Sequence, residues 1–230
     1  MRRAAGPADQ LVDGRSEAEP AGGDEVVALS CEPSGPALVL GSTQPETDAD
    51  VPRCAALGVA VARRRSGGGA VYVAPGAQVW VDVFVPAHHR LFEVDVGRSF
   101  RWLGEAWAEA LRRLPDPPWP GEISVARPGA PLGPLGRRLC FAAVGAGEVL
   151  WGGRKVVGLS QRRDRRGAWI HSMAPLADHS ALLLECLRLD PPTRAAAAAE
   201  LGRVAGWLPV PAAVLLEAVT GEIARVVTAS

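Results

Sequence analysis

Short apolar runs separated by polar breaks fill the region up to residue 86, and the repeat length then changes. "PALVLG" (36–41) is a continuous apolar run closed by Pro36 and Gly41, as expected of a short buried strand. "GVAVARR" (58–64) alternates in the manner of a strand, and "AVYVAPGAQVWVDVFVP" (70–86) is β-rich on both sides of Pro75 and Gly76, which predicts a hairpin. From Ser99 to Leu114 the period lengthens. Phe100, Leu103, Trp107, Leu111 and Leu114 recur three and four residues apart, the stripe of an amphipathic helix, and Pro115 ends it. "RKVVGLSQRR" (154–163) returns to strand character around Val156 and Val157. Beyond "AWIHSMAPL" three helical stretches follow, "HSALLLECLRL", "PPTRAAAAAELGRVAGWL" and "PAAVLLEAVTGEIARVV", with Pro191, Pro192 and Pro211 near their starts.

Two segments fall outside this pattern. Residues 1–24 are rich in Ala, Gly, Pro, Asp and Glu and have little to bury, so a disordered tail is expected there, followed by a single domain over 25–230 that ends in helices. Residues 115–138 form a Pro/Gly-rich connection of the length that often serves as a mobile lid or binding loop. The 25 basic and 25 acidic residues cancel, so no overall field recruits nucleic acid or an anionic membrane. Cys31, Cys54, Cys140 and Cys186 are widely spaced without a C-x-x-C pair, which reads as cytosolic thiols rather than a zinc site or a disulfide framework. The N-terminus has no apolar core of about 7–15 residues as in a secretion signal, and no apolar run reaches the roughly 18 residues of a membrane span. A cytoplasmic protein is the expectation.

Against this background two stretches stand out chemically. "RRRSGGGAVY" (63–72) removes three successive Cβ atoms beside Arg63, Arg64 and Arg65, so backbone N–H groups can approach a ligand and cations stand ready for phosphate or carboxylate. The same run is also compatible with a plain glycine turn, since it fits neither G-x-x-x-x-G-K-[ST] nor G-x-G-x-x-G. "WGGRKVVGLSQRR" (151–163) holds Lys155, the sole lysine of a chain whose other 24 basic residues are arginine. An ammonium on a flexible stem can be set as a point charge against a reacting centre, where a planar guanidinium cannot.

Taken together, "RRRSGGGAVY", "GRKVVGLSQRR" and "LGSTQ" (40–44) resemble the signature segments of the lipoate protein ligases and octanoyltransferases and, more distantly, the biotin protein ligases. The resemblance covers about residues 25–185. It implies an α+β fold of the biotin/lipoate protein ligase catalytic-domain type, with a mixed, largely antiparallel sheet backed by helices and an apolar acyl tunnel beside the glycine run. It further implies that Gly67, Gly68 and Gly69 line the acyl group, with Arg63, Arg64 and Ser66 binding acyl or adenylate groups. Lys155 would contact the acyl carbonyl and the adenylate phosphate, with Gly158 and Ser160 offering donors at the same centre. The activity implied is attachment of lipoate or octanoate to the lysine of a lipoyl-carrier domain, of dehydrogenase E2 or glycine-cleavage H protein type, using ATP and Mg²⁺. A positioned ammonium suits both steps, because negative charge develops first at the α-phosphate and then at the carbonyl oxygen.

"CFAAVGAGEVLWGGRK" complicates the choice of donor. Cys140 lies fifteen residues before Lys155 and resembles the cysteine of certain octanoyltransferases, in which a thioester on that residue replaces ATP and an octanoyl acyl-carrier protein is the donor. Alternatively, Cys140 is a small buried apolar residue. Val73 and Ala74 stand where many relatives have His-Asp, and no counterpart of the small C-terminal domain of many lipoate ligases is recognisable. A non-catalytic protein that binds an acyl ligand or lipoyl domain is therefore a further alternative. Glu148 is the carboxylate placed to hold Mg²⁺ if ATP is used, although a lone carboxylate is commonly solvated. His88 and His89 read as solvated, and His171 and His179 as core or surface residues.

Overall fold

The computed structural model describes residues 1–12, 25–114, 120–127, 129 and 133–229. The chain begins with β1 (Arg2–Gly6), α1 (Ala8–Val12), β2 (Val27–Pro33), β3 (Ala37–Leu40), α2 (Val51–Ala56) and β4 (Ala60–Arg63). It continues through β5 (Val71–Val73), β6 (Gln78–Pro86), α3 (Arg101–Arg112), β7 (Ile123–Val125) and α4 (Pro134–Arg138). It ends with β8 (Val149–Trp151), β9 (Arg154–Asp164), β10 (Gly167–Pro175), α5 (Ser180–Glu185), α6 (Pro191–Val204) and α7 (Ala212–Thr228). A seven-stranded sheet has the order β1-β2-β6-β10-β9-β8-β7, and a three-stranded sheet the order β4-β3-β5. Among the strand pairs of the described residues, β1–β2 and β3–β4 are the parallel ones. The sheet is thus mixed and largely antiparallel, as expected.

Strand periodicity explains how the layers stack. In β6, Val79, Val81, Val83 and Val85 face the cluster formed with α3 and α7, whereas Trp80 and Phe84 face the small sheet. In β3, Ala37 and Val39 meet that second face while Leu38 and Leu40 pack toward α5 and α6. Both strands are buried on two sides, so their sequences are apolar runs rather than clean alternations. The stripe of α3 lies where its period places it, with Leu103, Trp107 and Leu111 fully buried against the large sheet and α7.

Three expectations need correction. The stretch 70–86 is not a hairpin, because β5 pairs with β3 and β6 pairs with β2 and β10. At Pro75 and Gly76 (φ +68°) the chain changes sheets, and a turn signal in the sequence does not reveal which strand each arm will join. Residues 1–12 are ordered as β1 and α1, since Ala4, Ala8, Leu11 and Val12 find a buried site against β2 and β4; the rest of the expected tail, 13–24, lies outside the described residues. The last turn expected of α6 is extended instead, because the Gly206 N–H donates to the Lys155 carbonyl at 2.8 Å and the Leu208 N–H to Pro175 at 2.8 Å. Of the 115–138 connection, 115–119, 128 and 130–132 lie outside the described residues, and β7 and α4 fall within it.

Candidate active site

Lys155 sits on β9 with 2 % of its surface exposed. Its Nζ contacts Glu148 Oε1 at 2.7 Å, the Cys140 carbonyl at 2.6 Å and the Ala143 carbonyl at 3.1 Å. Three oxygens match the three N–H bonds of an ammonium, an arrangement the flat fork of an arginine cannot reproduce. That geometry is one a lysine can meet and an arginine cannot. The cage opens on a cavity of about 350 Å³ that Gly67, Gly68, Gly69, Cys140, Glu148 and Ser160 help to line.

Two motifs distant in sequence are joined here by direct contacts. Ser66 Oγ lies 2.9 Å from Ser160 Oγ, linking the glycine loop to the lysine strand. The Ala70 N–H donates to the Arg138 carbonyl and the Cys140 N–H to the Ala70 carbonyl, which seats Cys140 beside the loop. That approach requires Gly69, since a Cβ there would fall 2.4 Å from the Leu139 nitrogen. Gly68 has φ +97°, a conformation side chains disfavour. The guanidiniums of this motif hold the loop itself. Arg64 donates to the carbonyls of Gly67 and Gly69, each at 2.8 Å, and Arg63 to those of Gly41 and Gln44.

Cys140 differs from the other three cysteines. Cys31, Cys54 and Cys186 are buried, and burial pushes their thiols up, that of Cys186 to about 12. Cys140 is partly exposed, with Sγ 3.9 Å from Lys155 Nζ. It also borders a second, largely apolar pocket between the two sheets, lined by Val39, Val71, Trp80, Phe141, His171 and Met173 among others. Within that pocket His171 Nδ1 lies 2.8 Å from Asp82 Oδ2, while Asp82 Oδ1 accepts the Trp80 indole N–H at 2.5 Å. His171 Nε2 is buried without a hydrogen-bond partner among the described residues.

Residues 15–191 match the model of the lipoyl protein ligase A/B catalytic domain family. The chain belongs to this family. Similar solved structures include a lipoate protein ligase from Thermoplasma acidophilum with bound lipoic acid, at 18 % identity and TM-score 0.70, covering 98 % of this chain and 82 % of that one. Another is the bipartite ligase of the same organism, described with its E2 lipoyl domain, at 18 % identity, TM-score 0.72 and the same coverages of 98 % and 82 %. Lipoate-protein ligase A bound with ATP aligns at 20 % identity and TM-score 0.64 over 88 % of this chain and 73 % of that one. No curated protein matches the sequence. No helix among the described residues is long and apolar enough to cross a membrane.

Within this lipoyl protein ligase domain, Lys155, Cys140, Glu148, Ser66, Ser160 and Gly67 to Gly69 converge. Gly158 lines the apolar pocket, where a Cβ would press on Phe141 at 3.3 Å. Arg64 borders that pocket, whereas Arg63 lines neither it nor the Lys155 cavity. The surroundings of Glu148 do not fit Mg²⁺. Its Oε1 holds the ammonium and the Leu159 N–H, its Oε2 accepts the Gly145 N–H, and a divalent ion would face the Lys155 charge across one carboxylate. Among the described residues no group of three or more His, Cys, Asp and Glu is suited to a metal. Sequence reading missed the Asp82–His171 pair. Its signal was present, as each is the lone ionisable residue in an apolar strand, "VWVDVFV" and "AWIHSMA".

Proposed function

We propose that the protein transfers a lipoyl or octanoyl group to the lysine of a lipoyl-carrier domain by way of an acyl adenylate, in the reducing cytoplasm. The observation carrying this reading is the buried Lys155 ammonium at the floor of a cavity bordered by the glycine loop, adjoining a largely apolar pocket that a hydrocarbon chain would enter by displacing side chains. Family membership supports it, as do the lipoic acid, ATP and E2 lipoyl domain named with the similar structures. In the first step the substrate carboxylate attacks the α-phosphate of ATP and pyrophosphate leaves. In the second the carrier amine attacks the acyl carbonyl, AMP leaves and the amine loses a proton. Lys155 faces the oxyanion of that second step, and a donor of this kind is worth about 10² to 10³ in rate. Mg²⁺ would accompany ATP through the phosphate oxygens, and no protein ligand for it is assigned.

A second reading is favoured by one distance, the 3.9 Å between Cys140 Sγ and Lys155 Nζ. A thiolate at Cys140 attacks an acyl thioester and releases the donor thiol, and the carrier lysine then displaces the acyl group, regenerating the thiolate. Intact-protein mass spectrometry separates the two. A lipoyl domain should gain the acyl mass with lipoate or octanoate, ATP and Mg²⁺; a gain only with an octanoyl acyl-carrier protein and no ATP would establish the thioester route. No gain under either condition would refute transfer.

A further inference from the structure

Glu148 has a role that neither adenylation nor thioester chemistry assigns. Its side chain is 5 % exposed and that of Lys155 2 %, so the ion pair between them is almost wholly removed from water. The carboxylate is itself held on both oxygens, Oε2 by the Gly145 N–H at 2.6 Å and Oε1 by the Leu159 N–H at 3.2 Å. Its backbone is tied as well, because the Ala126 N–H donates to the Glu148 carbonyl at 2.8 Å. The pairing of β8 with β9 is irregular between Val149 and Leu150, immediately after Glu148. The register slip occurs where a carboxylate from outside β8 meets Lys155 and Leu159 of β9.

We infer that Glu148 is a positioning residue: it fixes the Lys155 ammonium at the reacting centre through a buried ion pair and is not a magnesium ligand. A lysine stem has several free rotations, so an ammonium that must act as a point charge needs a fixed counter-charge to define its place. The two carbonyls on Nζ, those of Cys140 and Ala143, are neutral and exchangeable, and the longer contact, to Ala143 at 3.1 Å, is the one a developing oxyanion can replace. Glu148 remains while that exchange occurs. Removing one member of a buried ion pair leaves the other uncompensated, so Lys155 cannot keep its position without Glu148. The consequence for rate rests on the proposed acyl transfer; the ion pair does not.

The sole lysine makes the test direct. Protein grown with lysine labelled with ¹⁵N at Nζ carries one such nitrogen, and wild type should give a single ammonium signal protected from exchange with water. In Glu148→Gln that signal should shift or be lost to exchange. The same variant should lose about 10- to 100-fold in kcat, as when an outer-shell partner of a functional group is removed. KM for the acyl donor and the Mg²⁺ dependence of the ATP-driven reaction should stay within about two-fold. As a check on folding, the Tm loss from Glu148→Gln should shrink strongly in a Lys155→Met background, since the two residues are coupled. An unchanged ammonium signal, an equal Tm loss in both backgrounds or a raised Mg²⁺ requirement would each overturn the inference. A wild type without transfer activity would strike the proposed function alone, and the labelled signal would still decide the ion pair.

Discussion

Two pockets meet at Cys140, Leu159 and Ser160, and they satisfy their polar atoms in opposite ways. Around Lys155 the protein supplies every partner itself: a carboxylate and two carbonyls for the ammonium, and two backbone N–H groups for the carboxylate. Between the sheets the lining is largely apolar and His171 Nε2 has no hydrogen-bond partner among the described residues. The first pocket is preorganised for charge before any substrate arrives, which is what electrostatic catalysis requires. The second is of only about 50 Å³ and holds one unsatisfied polar atom, so a chain entering it must move side chains such as Phe141 and Met173. On the proposed function, reaction and recognition would be divided between a rigid wall and a yielding one.

The largest break in that comparison is at the rigid wall. Lys155→Arg should lose about 10² to 10³ in transfer rate, nearly as much as Lys155→Ala, because a planar guanidinium cannot meet three oxygens spaced for an ammonium. Lys155→Ala should also destabilise the fold by about 3–5 kcal/mol, since Glu148 is left buried and unpaired. Single-turnover rates and denaturant melts measure the two effects separately. Wild-type rates in the arginine variant would mean that the cage tolerates any cation.

Gly68→Val attacks the glycine loop that borders the Lys155 cavity. At φ +97° a β-branched residue is strained, and its Cβ would fall 2.8 Å from an Arg64 guanidinium nitrogen already bonded to Gly67 and Gly69. Calorimetry with an acyl adenylate analogue should show binding lost; unchanged affinity would reduce the glycines to a turn. Cys140→Ser is expected to have a smaller effect in the adenylate route, keeping most ATP-driven transfer, and to abolish a hydroxylamine-sensitive acyl adduct if the thioester route operates. Iodoacetamide near neutral pH should label Cys140 first. Cys31, Cys54 and Cys186 are buried, and their raised pKa values leave less thiolate at a given pH.

How much of this was legible in the sequence depended on whether the information was local or carried by a motif. The α3 stripe was legible because 3.6-residue periodicity and a terminating proline are local properties, and the core honours them. The union of Ser66 with Ser160 and of Gly69 with Leu139 was reachable through the family-like motifs, though no spacing rule yields the distances. The strand exchange at Pro75 and Gly76 was not legible, because a turn does not encode the partners of its two arms. Nor was the work of Arg63 and Arg64: a cation beside glycines reads as a ligand contact in one dimension, yet their nearest acceptors here are the carbonyls that the glycine loop and its neighbours leave exposed. Asp82 and His171 are 89 residues apart and become a pair only because β6 and β10 align them in register.

That pair supplies the smallest effect and the closest test of the yielding pocket. A buried hydrogen-bonding atom without a partner costs about 1–3 kcal/mol, a penalty that a ligand group reaching His171 Nε2 would relieve. An octanoyl chain is pure hydrocarbon beyond its carbonyl. A lipoyl chain carries sulfur, which is polarisable and interacts weakly with donors and aromatic rings. Where both ring nitrogens carry a proton, Nδ1 toward Asp82 and Nε2 toward that sulfur, His171 would favour the sulfur-bearing chain in the proposed reaction. Replacing His171 alone would strand the Asp82 carboxylate, so the variant to make is His171→Phe with Asp82→Asn, which keeps an acceptor for the Trp80 indole. In competition between lipoate and octanoate, the ratio of kcat/KM values should move toward octanoate by about 5- to 10-fold, the equivalent of roughly one net hydrogen bond, while the rate with octanoate alone stays close to wild type. If the ratio holds steady, His171 is a core residue serving only Asp82, and the pocket distinguishes chains by volume alone.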